Sequence, residues 1–174
     1  MAGFAKRARA IRLAVFDVDG VLTDGTIYMG PQGEMLKAFN ILDGHGLKLL
    51  HEDGVATSIL SGRKSAMVAT RAKELGLASV HQGVSDKVKR LTAILRSHKA
   101  DLASCAYMGD DLPDLEVMQR VGLAIAPANA VIAVRKVAHL VTKARGGEGA
   151  VREFCERLLE ARGRTDLVLG RAKK

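Results

Sequence analysis

Two aspartates separated by a single residue follow a short apolar segment near the start of the chain. They are Asp17 and Asp19 in the sequence VFDVDGVLTDG, and a third carboxylate, Asp24, comes five residues after Asp19. Carboxylates this close repel one another and lose hydration, so a metal ion, a hydrogen-bonded turn or solvent must compensate their charge. The segment alone leaves a metal site and a plain acidic turn equally open.

An EF-hand calcium loop beginning at Asp17 is excluded by the residues that follow it. Such a loop requires glycine at its sixth position and a bidentate glutamate at its twelfth. Here those two positions hold Leu22 and Tyr28.

Three further groups of polar residues come after later apolar segments. They are Ser61, Gly62 and Arg63 after VATSIL, Lys87 shortly after ASVHQ, and Asp110 and Asp111 after CAYMG. A few carboxylate oxygens suit Mg²⁺, which completes its shell with water and substrate phosphate. One carboxylate could then attack phosphorus while another transfers protons, and hydroxyl, amide and ammonium groups could hold the phosphate oxygens. The pattern therefore favours phosphoryl-transfer chemistry.

Short apolar segments rich in β-branched residues alternate with amphipathic segments along the chain. The apolar segments predict strands at Ile11–Phe16, Val55–Leu60, Ala78–His81, Ser104–Met108, Gly122–Ala126 and, weakly, His139–Val141. The segments between them predict one helix that begins at Asp43, one that begins at Ser85, and others over Lys64–Leu75, Asp114–Arg120, Asn129–Lys136 and Glu148–Ala161.

A turn-forming GPQG sequence separates Thr26–Met29 from Glu34–Phe39, which predicts a β-hairpin after the first strand. The whole order predicts an α/β fold with a three-layer, Rossmann-like, mostly parallel sheet. In such a sheet the ligand crevice lies at the carboxyl ends of the strands. The four polar groups described above all fall at those ends.

The net charge of +8 is concentrated at the two ends of the chain. We expect a basic N-terminal tail over residues 1–10, a single catalytic domain over 11–162 and a basic C-terminal tail over 163–174, all within one 174-residue chain. The residues between Leu13 and Ala161 are electrically balanced, and aromatics make up only 3% of the chain. The tails are therefore interpreted as solvated segments, with no nucleic-acid partner.

The cysteine content and hydropathy favour a protein of the cytoplasm. Cys105 and Cys155 lie in apolar surroundings without metal-ligand spacing, as expected of buried thiols in a reducing compartment. No apolar segment reaches the length of about 18 residues that a membrane span needs. No signal-type core follows the basic start, so neither a membrane nor secretion is expected.

DVDGVLTDG, LSGR, Lys87 and GDDLPDLEVM resemble, in order, the four motifs of the haloacid dehalogenase-like phosphatases. The resemblance implies that Asp17 is the nucleophile that forms an aspartyl-phosphate and that Asp19 is the general acid and base. It implies Mg²⁺ bound by Asp17, Asp110 and the backbone carbonyl of Asp19. It also implies phosphate binding by Ser61, Gly62 and Lys87, and support of the metal site and its loop by Asp111 and Asp114.

A finer resemblance covers about Ile11 to Arg162, through FNILDGHGLKLL, LSGRKSAMV, HQGVSDK, GDDLPDLEVM and GGEGAVREFC. These sequences are similar to the small branch that has no cap domain and includes the 3-deoxy-D-manno-octulosonate 8-phosphate phosphatases of lipopolysaccharide biosynthesis. Members of the branch form homotetramers, which implies a subunit interface at the Thr26–Phe39 hairpin. The Gly146–Arg152 segment resembles a tail that reaches toward a neighbouring active site, whereas its residues alone favour an ordinary glycine-rich loop before a helix.

The resemblance implies hydrolysis of the octulosonate 8-phosphate, and the candidate contacts to the substrate are Arg63, Arg71 and Arg152. A related nonulosonate 9-phosphate phosphatase has glutamate where this chain has Arg63, and arginine can pair with a sugar-acid carboxylate through two bonds. For Arg71 a solvated position is equally expected. Phosphatases of a nonulosonate 9-phosphate or another small metabolite remain as alternatives, as does a non-catalytic scaffold or binding protein.

Overall fold

The computed structural model describes residues 2–171 of the chain, with the side chain of Ala2 excepted. Its centre is a six-stranded sheet of order β5-β4-β1-β6-β7-β8 in which every neighbouring pair is parallel. The strands are β1 (Leu13–Phe16), β4 (Ala56–Leu60), β5 (Ser79–His81), β6 (Cys105–Met108), β7 (Leu123–Ala126) and β8 (Leu140–Val141). The predicted α/β class with a mostly parallel sheet is confirmed.

Helices cover both faces of this sheet, which is why its strands are largely apolar, with Thr57 and Ser58 of β4 as buried polar exceptions. One face carries α1 (Ala2–Ala10), α2 (Ile41–Glu52), α3 (Ala66–Leu75) and α7 (Ala150–Ala161). The other carries α4 (Lys87–Ser97), α5 (Leu115–Arg120) and α6 (Ile132–Val137). Successive residues of a strand alternate between the two cores, so Phe16 packs on the first face and Val15 on the second.

The antiparallel hairpin consists of β2 (Tyr28–Gly30) and β3 (Gly33–Leu36), shorter than predicted at its outer ends. It presents exposed apolar side chains, with Met29 and Met35 each 65% exposed. The connections between the described elements leave no room for an inserted cap domain, as the sequence predicts. No helix in residues 2–171 has the length and hydropathy to span a membrane.

The residues that cap α2 and α4 differ from those predicted. Asn40, and not Asp43, caps α2, and its side-chain oxygen accepts a hydrogen bond from the Leu42 amide. Asp43 is 1% exposed inside α2 and accepts from the amides of Gly149 (3.4 Å) and Arg152 (2.7 Å), so it caps α7 from a neighbouring helix. The helix α4 is capped by Asp86 instead of Ser85.

The N-terminal segment differs from the solvated tail that its charge predicts. Residues 2–10 form α1, in which Phe4 and Ala8, four positions apart, pack against the core of the first face. The cations of this helix bond backbone carbonyls: Arg7 donates to Gly122 O (2.7 Å) and Arg9 to Ala161 O (3.0 Å).

The C-terminal cations are bound in a similar way. Arg162 and Arg164 both pair with Asp53 at the end of α2, and the short helix α8 (Thr165–Val168) follows them. Lys173 and Lys174, part of the predicted basic tail, lie outside the described residues.

Candidate active site

The residues predicted to act on phosphate meet where the order of the strands reverses. From β1 the chain proceeds outward through β4 and β5 and then returns to β6, on the other side of β1. Such a switch point opens a crevice at the carboxyl ends of the two central strands. A cleft of about 300 Å³ lies there. Its lining contains Asp17, Asp19, Ser61, Gly62, Arg63, Lys87, Asp110, Asp111 and Asp114, together with Gly25 and Pro113.

A buried lysine joins two of the carboxylates in this cleft. Lys87, 6% exposed at the first residue of α4, donates from Nζ to Asp17 Oδ2 (2.7 Å) and to Asp114 Oδ1 (2.6 Å). The Val18 amide donates to the other oxygen of Asp17 at 2.7 Å. Both oxygens of Asp17 are therefore oriented by protein donors, and one of them lies beside a cation.

Asp114 anchors the loop that follows β6. It is completely buried, and its Oδ2 accepts from the backbone amides of Asp110 (3.1 Å) and Asp111 (3.3 Å). Its Oδ1 accepts from Lys87 and from the Tyr107 hydroxyl (2.6 Å). Asp111 starts the following turn, because its own carboxylate accepts from the Leu112 amide. Asp114 thus fixes the backbone that carries Asp110.

The crowding of these acids changes their protonation. Burial, with the added charges of Asp114 and Asp17, raises the pKa of Asp110 to about 7. Burial and Asp114 raise the pKa of Asp17 to about 6, although Lys87 opposes the shift. Burial works against the charge of Lys87, but Asp17 and Asp114 outweigh it and raise the pKa of the ammonium group. Near neutral pH the site therefore holds a fixed cation and carboxylates that compete for protons.

The donor set fits a small, hard divalent cation such as Mg²⁺. One oxygen each from Asp17, Asp110 and Asp114 lies within 4.8 Å of the others. The four hydrogen bonds of Asp114 already occupy its oxygens, which leaves Asp17 and Asp110 as the carboxylates able to bind an ion. Gly20 permits the close approach of Asp110, since a Cβ there would lie 2.0 Å from Asp110 Oδ2.

Asp19 points toward the hairpin and takes part in a second ion-pair network. Its carboxylate pairs with Lys37, whose side chain is 2% exposed, and lies 3.5 Å from Arg63 Nε. Glu34 joins the same two cations at 3.2 Å from Lys37 Nζ and 3.3 Å from Arg63 Nη2. The hairpin therefore contributes directly to the orientation of the second aspartate.

Ser61 and Gly62 form the opposite wall of the cleft, at the end of β4. Ser61 is 3% exposed, its backbone is held by bonds to His81 and Val84, and its hydroxyl accepts from the Arg63 amide at 3.3 Å. Gly62 is exposed at the rim of the cleft. The Ser61 hydroxyl and the Gly62 backbone thus belong to residues that line the same cleft as the carboxylates and Lys87.

Comparison with known proteins places this geometry in a family. A model of haloacid dehalogenase-like hydrolases matches residues 77–154. A 3-deoxy-D-manno-octulosonate 8-phosphate phosphatase of Yersinia pestis is 43% identical over 95% of this chain and 88% of its own length. The chain belongs to the haloacid dehalogenase-like hydrolases.

Solved structures of the family agree with the whole fold. The chain is 50% identical to a probable YrbI family phosphatase of Pseudomonas syringae, with a TM-score of 0.94 over 98% of this chain and 97% of that one. It is 40% identical to an octulosonate 8-phosphate phosphatase of Moraxella catarrhalis, with a TM-score of 0.94 over 98% of both chains. The Moraxella structure is a complex with a magnesium ion, a phosphate ion and a KDO molecule.

Two of the predicted substrate contacts of this hydrolase lie away from its cleft. Arg71 pairs with Glu74 at 2.9 Å, and its guanidinium packs over Gly44 of α2. Arg152 pairs with Glu156 at 2.6 Å on the surface of α7. Of the three arginines, only Arg63 lines the cleft of its own chain. The reason is that α3 and α7 carry Arg71 and Arg152 on the first face of the sheet, beside α2.

Three residues of the site escaped prediction from the sequence. Tyr107 lies within an otherwise apolar strand, Glu34 lies on β3 of the hairpin, and Lys37 directly follows that strand. A single polar group in a buried strand, two residues before the acidic loop, was the available signal for Tyr107. No spacing rule connects the hairpin to Asp19, because that contact exists only in the folded chain.

Proposed function

We propose that this chain is a Mg²⁺-dependent phosphatase that hydrolyses 3-deoxy-D-manno-octulosonate 8-phosphate to the free sugar acid and inorganic phosphate. The supporting observation is a buried Lys87 bonded to Asp17 in a cleft that also contains Asp110 and Ser61. Relatives that are 43% identical over 95% of the chain carry that activity in their names.

In the proposed reaction Asp17 acts as the nucleophile. An Asp17 carboxylate oxygen attacks phosphorus, the bond to the sugar oxygen breaks, and Asp19 gives that oxygen a proton. Water, which Asp19 deprotonates, then attacks the aspartyl-phosphate and releases phosphate with Asp17 restored. The bonds from Lys87 and the Val18 amide orient Asp17 before the substrate arrives.

The remaining residues hold the phosphoryl group while charge shifts. We assign the Ser61 hydroxyl, the Gly62 amide and the Lys87 ammonium to the phosphate oxygens. Asp17, Asp110 and the Asp19 carbonyl would hold Mg²⁺, with Asp111 and Asp114 supporting the loop. When bound, the ion supplies positive charge that neutralises the carboxylates and the phosphate oxygens.

Arg63 is proposed to recognise the sugar-acid carboxylate. Its side chain is 46% exposed at the cleft, where a free part of the guanidinium can form a charge-assisted pair. Arg71 and Arg152 would contact a substrate only in the site of a neighbouring subunit, because they lie outside the cleft of their own chain.

We further propose a homotetramer in the cytoplasm, with the exposed hairpin at the interface. Tyr28, Met29, Met35 and Leu36 are each at least 42% exposed and form an apolar surface that an isolated chain leaves in water. We expect Met29→Glu to shift the sedimentation coefficient toward that of the monomer. An unchanged coefficient would exclude the hairpin as the interface. The catalytic domain is proposed to comprise the predicted span 11–162 together with α1, which packs on its core.

A panel of phosphorylated sugars tests the proposed reaction. The purified chain is expected to release phosphate from the octulosonate 8-phosphate with a kcat/KM well above those for a nonulosonate 9-phosphate and for hexose phosphates. EDTA should abolish the release, and added Mg²⁺ should restore it. Equal turnover of unrelated hexose phosphates would overturn the substrate assignment, and a complete lack of turnover would favour the scaffold alternative.

A further inference from the structure

Tyr107 is a fully buried polar side chain directly behind the catalytic cleft. It lies on β6, where its ring packs among the apolar residues of the second sheet face. Its hydroxyl donates to Asp114 Oδ1 at 2.6 Å and lies 3.4 Å from Lys87 Nζ. It does not line the cleft, so it reaches the reaction only through these two residues.

The hydroxyl completes the hydrogen bonds of Asp114. One oxygen of Asp114 holds the amides of Asp110 and Asp111, and the other is shared by Tyr107 and Lys87. An ionised carboxylate offers about four acceptor positions, so all of them are occupied. Without the hydroxyl, Lys87 would be the only donor to Oδ1 and the balance of its bonds between Asp114 and Asp17 would change.

A neutral donor is the group that suits this position. Burial and the charge of Asp114 raise the pKa of Tyr107 well above its usual value, so the phenol keeps its proton at every working pH. A second cation would compete with Lys87 for the carboxylates, whereas a phenol supplies one proton and adds no charge. The oxygen can also accept from Lys87 Nζ, 3.4 Å away, so one hydroxyl contacts both partners.

We propose that Tyr107 is a positioning residue of the phosphatase: its hydroxyl holds Asp114, which sets the place of Lys87 Nζ against Asp17 and the path of the Asp110–Asp111 backbone. The inference rests on the proposed phosphatase reaction for its kinetic consequence. Its structural part, the bond from Tyr107 to Asp114, stands without that reaction.

The decisive variant is Tyr107→Phe, which removes only the oxygen. A displacement of Lys87 and Asp110 by a fraction of an ångström should lower kcat by roughly 10-fold to 100-fold, since small errors of placement are costly in an aligned site. KM should change by less than about 2-fold, because Tyr107 does not touch the substrate. The matched control is Ser58→Ala on β4, which also loses a fully buried hydroxyl, bonded at 2.7 Å to Ser79 Oγ.

The kinetic outcomes separate positioning from packing. If both variants lower the unfolding midpoint and only Tyr107→Phe lowers kcat, the positioning role is supported. If Tyr107→Phe keeps the kcat of the parent, or lowers it no more than Ser58→Ala does, the proposal is overturned.

Two measurements are independent of turnover and of whether the variant is active. In the parent chain, NMR should show a slowly exchanging hydroxyl proton from Tyr107, easily assigned because the chain has only two tyrosines. In Tyr107→Phe, hydrogen exchange at the amides of Asp110 and Asp111 should accelerate. If the parent chain hydrolyses no phosphomonoester but both tests give the expected result, only the proposed phosphatase function is refuted. A hydroxyl that exchanges as fast as that of a free phenol refutes the positioning role, even if Tyr107→Phe does not fold.

Discussion

Replacing Lys87 with methionine tests how the cleft balances its charges. The substitution keeps an unbranched apolar stem but removes an ammonium group whose side chain is only 5% exposed. Asp17 and Asp114, at 2.7 and 2.6 Å from Nζ, then face each other without a cation between them. The acids must either remain ionised at high cost or take up a proton.

The expected loss of stability depends on pH for this reason. Removing one member of a buried ion pair costs about 3–5 kcal/mol when the partner charge stays buried. Lys87 lowers the pKa of Asp17, which is nevertheless raised to about 6, so its removal raises that pKa further. A carboxyl whose pKa is raised on folding destabilises the fold most at a pH above the raised value, and this penalty falls as the pH drops toward the ordinary carboxyl pKa of about 4. Lys87→Met should therefore cost about 3–5 kcal/mol at pH 8 and about half as much or less at pH 5.

Urea unfolding in EDTA at the two pH values measures this difference directly. The control is Lys89→Met, an exposed lysine on the same helix, whose replacement should change the free energy of unfolding by about 0.5 kcal/mol or less at both pH values. The reasoning is refuted if Lys87→Met costs the same at pH 5 as at pH 8, or no more than Lys89→Met. In the active chain, loss of Lys87 should also lower kcat by about 10²–10³-fold, as for other groups that stabilise transition-state charge.

Three further changes have definite expected outcomes. Asp17→Asn should abolish phosphate release because an amide is a poor nucleophile. Asp24→Asn, at an exposed turn of the same segment, should leave phosphate release unchanged. Substantial turnover by Asp17→Asn would exclude the covalent route. Because the pKa of Asp110 is raised to about 7, the affinity for Mg²⁺ measured by calorimetry should rise from pH 5 to pH 8 as protons leave, and a constant affinity would contradict this. Gly146→Ala should lower the unfolding midpoint sharply, since its Cβ would lie 1.8 Å from Gly20 O, and an unchanged midpoint would mean that the loop moves freely.

The strands of this fold could be predicted from the sequence because burial on both faces makes them largely apolar. LAVF, ATSIL and CAYM are such segments, and each begins within two residues of its predicted start. Helix starts were less predictable, because Asn40 and Asp43 are both good N-caps. The structure uses Asn40 locally and Asp43 for a different helix, which depends on the packing of α7 against α2.

Some residues of the site could likewise be predicted from the sequence, whereas others depend on tertiary contacts. Asp17, Ser61, Lys87 and Asp110 follow from the rule that ligands bind at the carboxyl ends of parallel strands. The hydroxyl of Tyr107 and the pairing of Lys37 with Asp19 depend on side-chain directions that periodicity does not give. The charge at the N-terminal end led to the wrong prediction of a solvated tail for a related reason. Arg7 and Arg9 donate hydrogen bonds to backbone carbonyls of the folded domain instead of to water.

The charges in the cleft connect its metal, its protons and its substrate. The lining contains five carboxylates and two cations, a net charge of −3 when all are ionised. In a metal-free cleft, burial and mutual repulsion let Asp17 and Asp110 keep their protons to a higher pH than ordinary carboxyls, with pKa values of about 6 and 7. A phosphomonoester dianion would be repelled by the fully ionised site, whereas a divalent cation reduces the net charge to about −1 and leaves Lys87 available to the phosphate. We therefore expect inorganic phosphate to bind measurably only after Mg²⁺, and phosphate binding of equal strength in EDTA would show that the charge balance is not what controls entry.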